Sequence, residues 1–558
     1  MRLALAARMK VCTMEIGWID LTIVVAYLLG ITGIGVLVGR RQTDSSTGYF
    51  LASRSLSWTT VGLALFATNI STVHLIGLAS SGFSDGMVMG NFEWMAPFLL
   101  ILLGLVFAPF YFRTKISTLP EYLEGRYGPG SRTVLAVMAV FGALFIHIGV
   151  SLYAGAVMVQ NFVDIPITAS ILIVSLLTVI YTVAGGLKAV VVTESIQTVL
   201  LLVGAVAVTV FALLMLGSAD INSLADLRQA TKPGQLSMIR TDGQFAWYYM
   251  IIGYPVLGIW YWCSDQTIVQ RVLGAKSERD AQVGPIFCGF IKVLPTLVMV
   301  LPGVLCYVLF KDKVGDNADS TLIVLIKELL PAGLKGLVIA GLLAALMSTV
   351  AGALNSTATL VSIDIVKRTR PNTSDHTLVR IGQVTAVVVM VLAMMWSTQG
   401  ERFGGIFKGI NQMISVLAPP ISAVFIWGIF WRRATSAASL TTLIFGFVLG
   451  AVVFVLDFPA VSGRVLGFDS EGQAHQLFTR TCGMPFMLQA GILFGLCSTV
   501  LVCVSLVTPP PEPRRVERYC WKNPWAVVTE KPISGLFDPR VLAVLLVITM
   551  VICYCIFA

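Results

Sequence analysis

Runs of about twenty apolar residues recur along the whole chain, separated by short polar connections. Lipid offers a peptide group no hydrogen bonds, so runs of this length permit α-helices that cross a bilayer and little else. Charged residues make up only 12% of the chain, about half the share of a soluble protein. The pattern predicts an all-α polytopic membrane protein with about fourteen transmembrane helices. They fall near 17–38, 57–83, 88–112, 133–161, 166–184, 189–216 and 246–271, then near 282–310, 332–366, 377–397, 405–431, 436–456, 484–507 and 539–557.

The net charge of +9 does not mark a nucleic-acid partner, because the basic residues sit in short connections between spans. Alternate connections are unequal in Lys and Arg. One set holds Arg40, Arg41 and Arg54; Arg113, Lys115, Arg126 and Arg132; Arg271, Lys276 and Arg279; it continues through Lys367 and Arg368, Arg432 and Arg433, and Arg514 and Arg515. That set is expected on the cytoplasmic side of the cell membrane, with both termini outside. "MRLALAARMKVCTM" is too broken to be a signal peptide, and Met9 and Met14 are alternative starts, so residues 1–16 are read only as an outward tail. The ten cysteines include no C-x-x-C pair and read as packing residues rather than metal or disulfide sites.

Two of the expected helices are interrupted. In "LFATNISTVHLIG" (65–77) five polar side chains, Thr68, Asn69, Ser71, Thr72 and His74, crowd into two turns; in 246–271, "GYPVLGIWYW" carries Gly253, Pro255 and Gly258. Each interrupted helix begins a block of five spans, 57–216 and 246–431, and an odd number of spans gives the blocks opposite orientations. Segments 17–56, 217–245 and 432–558 then become a leading helix with its cytoplasmic loop, an external loop, and peripheral helices. Paired interruptions in opposed repeats are the signature of a secondary transporter with its site at the membrane midplane. Packing kinks in unrelated helices are the alternative.

Polar groups for a solute lie on these helices: Asn69 and His74 on the first, then Glu93 in "NFEWM" and Lys292 about 15 Å inside the 282–310 helix. A charge that deep is costly, so function is its default reading, with snorkelling as the alternative. Carboxylate, amide, imidazole and ammonium together suit a hydroxyl-rich sugar, whose groups both donate and accept, and the Trp262 face suits its C–H surface. His147 is either a further contact or a satisfied core histidine.

Four stretches, "IWYWCSDQTIVQRVLGAKS" (259–277), "AGALNSTATLVSIDIVKR" (351–368), "GGLKAVVVTESIQ" (185–197) and "STLPEYLEGRYG" (117–128), resemble the sodium/solute symporter family, most closely its sodium/glucose cotransporter branch. The resemblance implies a leucine-transporter-like core of two inverted five-helix repeats plus flanking helices, and sodium-coupled uptake by alternating access. It implies that the carbonyls of Ala67 and Ile70 ligate sodium from the broken helix. Ala345, Ser348 and Thr349, at i, i+3 and i+4 on one helix face, face them with a carbonyl and two hydroxyls; back-bonding within their own helix is the alternative. Tyr261 resembles the family's inner gate. Two positions depart from the sugar-transporting pattern: Asn411, with Gln412 beside it, stands where glutamine is usual, and Gly258 replaces a polar contact.

The expected function is therefore import of a neutral, glucose- or galactose-like sugar with one sodium per molecule. One sodium is expected because the positions of a second site read Ala351 and Gly352, and the remaining Glu194 is read as a salt bridge to a cytoplasmic arginine. Myo-inositol, sialate, a monocarboxylate or proline are the alternatives. No catalytic constellation or phosphate loop points to an enzyme. The partners expected are solute, sodium and lipid bilayer, with no cofactor.

Overall fold

The computed structural model describes residues 17–40, 45–163, 165–398, 406–468, 474–522, 533 and 535–558; the expected N-terminal tail lies outside them. Over the described residues the chain is helical, with two isolated β-bridges and no strand. The long helices are α1 (Trp18–Arg40), the bent pair α2 (Trp58–Asn69) and α3 (Thr72–Ser84), α4 (Met87–Thr114), α5 (Pro129–Gln160) and α6 (Ile167–Leu216). Next come α7 (Trp247–Gly258, continuing as a wider π-turn over Ile259–Ser264), α8 (Gln266–Leu273), α9 (Glu278–Val314) and α10 (Leu334–Lys367). The rest are α11 (Asp375–Ser397), α12 (Ile406–Phe430), α13 (Ser436–Asp457), α14 (Phe486–Val507) and α15 (Pro539–Ile556).

Among the described residues, eleven helices are long and apolar enough to cross a membrane, or twelve with the bent pair. This is fewer than the expected fourteen, for two reasons. The runs 166–184 and 189–216 form one element, α6, interrupted at Gly186 (φ 53, ψ −155), a conformation only glycine adopts readily. Its arms fold back on each other. Tyr181 donates to the carbonyl of Met347, while Gly204 packs on Val338. Met347 and Val338 are roughly 14 Å apart along α10, whereas 181 and 204 would be roughly 35 Å apart on a straight helix. The second reason is α7–α8, whose Trp and Tyr content lowers its hydropathy.

The most apolar stretch of α10 is 94% buried, against 17% for α1 and α15. A helix apolar on every side is stable only when surrounded, so α10 is the centre of the bundle and α1 and α15 are lipid-facing flanks. Asp20 ties α1 to this centre by accepting the N–H groups of Gly333 and Gly336 at 2.7 Å each, a carboxylate on the positive end of α10. Several arginines counted among the basic connections are in fact buried. Arg126 donates to the carbonyls of Gly428, Trp431 and Ala434, Arg132 pairs with Asp364, and Arg271 pairs with Glu194.

Candidate functional site

The break between α2 and α3 bends the path by 61°. Ile70 (φ −77, ψ 101) and Ser71 (φ −98, ψ 172) are extended. In an unbroken helix the Ser71 N–H would donate to Ala67, and the His74 N–H to Ile70. Here the Ser71 N–H reaches His74 Nδ1 (3.3 Å), and the His74 N–H goes to the Ser71 carbonyl (2.9 Å). The carbonyls of Ala67 and Ile70 thereby leave the helical ladder. His74, expected as a solute ligand, is also the side chain that closes the break.

The facing stretch of α10 meets the released backbone. Ser348 Oγ donates to the Ala67 carbonyl (2.9 Å) and Thr349 Oγ1 to the Thr68 carbonyl (3.2 Å); both lie near the Ala345 carbonyl, at 3.0 and 3.2 Å. Ala67, Ala345, Ser348 and Thr349 are thus brought together as expected. Thr68 joins them unanticipated, and the Ile70 carbonyl is not among the oxygens that the two hydroxyls bond. The cluster is buried, uncharged and made of oxygens, which suits a small hard cation.

Beside it lies a cavity of about 90 Å³, room for several waters. Asn69, His74, Glu93, Tyr261, Trp262, Lys292 and Asn411 all line it, as does Thr349, which joins cavity and oxygen cluster. The Lys292 ammonium is buried. It donates to Glu93 and to Asn69 Oδ1 (2.5 Å), and it stands 5.6 Å from the centre of the Trp262 ring. Snorkelling is thereby excluded for Lys292, and Glu93 is buried with it. Asn69 Nδ2 donates to Tyr261 Oη (3.1 Å), linking the first broken helix to the second.

The second helix breaks later than its Gly and Pro residues suggest. Pro255 is accommodated within α7, and the backbone turns extended at Asp265 (φ −86, ψ 124). Gly253 and Gly258 instead permit close packing: a Cβ there would lie 2.2 Å from the Met487 carbonyl and 2.7 Å from Leu99 Cγ. The cap residue gave the usable signal, since Asp265 Oδ1 accepts the Thr267 N–H (2.8 Å) at the start of α8. Asp265 Oδ2 also lies 2.6 Å from His147 Nε2, so His147 is both a cavity wall and a paired core histidine.

The two departures resolve differently. Asn411 lines the cavity, while Gln412 turns away and donates to the Asp457 carbonyl (3.1 Å). Gly258 also lines the cavity and leaves its place to Leu99 and Tyr254. Glu194 is held by the Arg271 guanidinium and by Thr68 Oγ1 (2.8 Å). Arg271 is a fully buried residue of α8, not the loop arginine expected. Its guanidinium fills the space beside Gly352, where a Cβ would sit 2.5 Å from Nη2.

The model of the sodium:solute symporter family matches residues 49–446. Sodium/glucose cotransporter 1 of Oryctolagus cuniculus is 32% identical over 544 residues, covering 90% of this chain and 81% of that protein. Sodium/myo-inositol cotransporter 2 of Bos taurus is 32% identical over 547 residues, covering 91% and 79%. Among solved structures, a substrate-bound, outward-open Na+-coupled sialic acid symporter superposes with a TM-score of 0.72 at 19% identity, over 89% of this chain and 99% of that one. A nucleobase-cation-symport-1 family transporter in a closed conformation does so at 0.50 and 16%, over 84% and 97%. These two likenesses establish a shared transporter fold.

Proposed function

The chain belongs to the sodium:solute symporter family and is a sodium-coupled solute symporter of a membrane, and from that premise we propose that it imports a neutral sugar, one sodium ion per molecule. The observation that carries this reading is the neutral charge balance of the cavity. Lys292 and Glu93 cancel, leaving donors and acceptors that suit hydroxyls and no spare cation for an acid. Glucose or galactose is the first reading. Myo-inositol, a ring of hydroxyls of the same chemistry, is the second, favoured by a relative as similar as the glucose cotransporters.

Sodium is assigned to the oxygens of Ala67, Ala345, Ser348 and Thr349, with Thr68 beside them and Ile70 a ligand that would have to move in. Their present separations of 2.9–3.2 Å are close to what neighbouring ligands about 2.4 Å from an ion require. A bound ion pins the break that carries Asn69 and His74, so ion and solute sites are shaped by the same backbone. Asn69, His74, Glu93, Trp262, Lys292 and Asn411 hold the solute, and Tyr261, bonded to Asn69, is the gate. One ion suffices because Arg271 already neutralises Glu194.

Fourteen spans follow when the folded-back α6 counts twice and α7–α8 once. Their order supports inverted repeats over 57–216 and 246–431, with 17–56, 217–245 and 432–558 outside the repeats. The remaining basic connections support an arrangement with both termini outside the cell membrane. Uptake of labelled glucose and myo-inositol into proteoliposomes, with sodium or choline outside, tests the reading. Sodium-dependent accumulation of one of them supports it; accumulation of neither, or equal uptake in choline, overturns it.

A further inference from the structure

On the basic-loop side of Tyr261, three buried amides are short of partners. Neither amide atom of Asn355 is bonded by a protein group, and Gln266 Nε2 and Gln270 Oε1 are likewise without one. All three residues are at most 2% exposed. A buried polar atom left unbonded costs about 1–3 kcal/mol, so such a cluster marks a place where water or a ligand completes the bonding.

The three belong to one seam. Thr267 Oγ1 lies 2.9 Å from Ser356 Oγ, and Gln270 Nε2 donates to Thr359 Oγ1 at 2.7 Å. A step of three residues along α8 therefore matches a step of three along α10, which sets the two helices parallel. Carried back one turn, the register brings Gln266 level with Asn355.

The seam also lies between residues that line two cavities. At its inner end Asp265, adjacent to Gln266, holds His147 of the central cavity wall. At its outer end Gln266 Oε1 accepts the Leu119 N–H (2.9 Å) and Gln270 Nε2 donates to the Phe50 carbonyl (2.7 Å). Phe50, with Ser117 near Leu119, lines a second cavity of about 310 Å³ that is bordered by Arg132, Lys367 and Arg368.

We propose that the α8–α10 seam is a second, transient subsite for the same solute, occupied between the central cavity and release on the basic-loop side. This rests on the reading of the protein as a symporter of a hydroxyl-rich neutral molecule. The chemistry matches that class. The unpaired amide nitrogens donate and the unpaired oxygens accept, and each sugar hydroxyl can answer either. The central cavity keeps its own ligands, so the seam governs release without governing binding.

Asn355→Leu tests this, because it removes both unpaired atoms while keeping the number and branching of the side-chain heavy atoms. The variant is reconstituted and loaded with whichever of radiolabelled glucose or myo-inositol the wild type accumulates; efflux and equilibrium exchange are then timed, with solute affinity and thermal stability measured in detergent. The expected result is efflux and exchange slowed about tenfold or more, solute affinity within about twofold of wild type, and a melting temperature equal to or above it. Asn355→Ser, which restores one hydroxyl, should recover part of the rate. Unchanged efflux in a folded Asn355→Leu protein overturns the subsite. So does a loss of affinity as large as the loss of rate, which would assign Asn355 to the central site. If Asn355→Leu does not fold, wild-type efflux from Asn355→Ser together with a lowered melting temperature overturns it in favour of a structural water. A wild type that accumulates neither solute removes the underlying reading, and this proposal with it.

Discussion

Replacing Lys292 by methionine takes away the cation between Glu93 and Asn69, and its two consequences can be separated. In the folded protein the Glu93 carboxylate is left buried without its partner, a situation that costs about 3–5 kcal/mol. In the solute complex one charged hydrogen bond is lost, about 1.5–3 kcal/mol, or roughly a 10- to 150-fold weaker Kd. The single variant should therefore melt well below wild type and bind sugar poorly. The double variant Lys292→Met/Glu93→Gln has no buried charge in this place, and removal of a whole pair is often nearly neutral for stability. It should recover most of the melting temperature and none of the binding. Thermal melting and scintillation-proximity binding of labelled sugar, both in detergent, read the two effects. Wild-type affinity in Lys292→Met would refute the assignment of the ammonium to solute; a double variant no more stable than the single one would refute the energetic reasoning.

Ser348→Ala and Thr349→Ala each remove one of the clustered oxygens, and each should raise the sodium concentration for half-maximal uptake about tenfold, near 1.4 kcal/mol, with little change at saturating sodium. Thr349→Ser keeps the oxygen and should leave that concentration unaltered; sodium titrations of initial uptake decide. Asn411→Gln should alter the ratio of glucose to myo-inositol uptake, whereas Gln412→Ala should lower the melting temperature and leave the ratio alone, because Gln412 serves the Asp457 network. Competition uptake with both solutes checks the first, and thermal melting the second.

What could be read from the sequence was what local chemistry dictates. Five polar side chains within two turns of an apolar run need an explanation that no lipid-facing helix supplies, and the α2–α3 break is there. The helical spacing of Ala345, Ser348 and Thr349 put them on one face, and that face meets the break. Lys292 and Glu93 were legible singly, since each is too costly to bury without a partner. The remainder depends on neighbours distant in the chain. Gly and Pro pointed to a break in α7 because they are common where helices bend, yet Gly253 and Gly258 serve contacts with α14 and α4, and the chain turns at Asp265. The Gly185-Gly186-Leu187-Lys188 stretch divides 166–184 from 189–216 in the sequence, yet nothing in it shows that the two arms of α6 fold back. Arg271 read as a loop arginine because it closes an apolar run, and only the packing of α8 on α2 and α10 turns it inward to Glu194. Asn355, in turn, lies in a stretch whose resemblance to a family was plain while its unpaired amide was not.

Coupling is the central claim, and a thermodynamic measurement reaches it without any assumption about rates. A potential of about 100 mV contributes roughly 2.3 kcal/mol per charge and a tenfold sodium gradient roughly 1.4 more, so one ion can concentrate a neutral sugar roughly 500-fold. In proteoliposomes with fixed sodium on both sides, the potential that nulls net sugar flux should move with the imposed sugar gradient. One sodium per neutral sugar predicts a shift of about 59 mV for each tenfold change in that gradient. A shift of about 30 mV would mean two ions and a second cation site despite Arg271, and a null that stays at equal sugar concentrations whatever the potential would contradict coupled transport altogether.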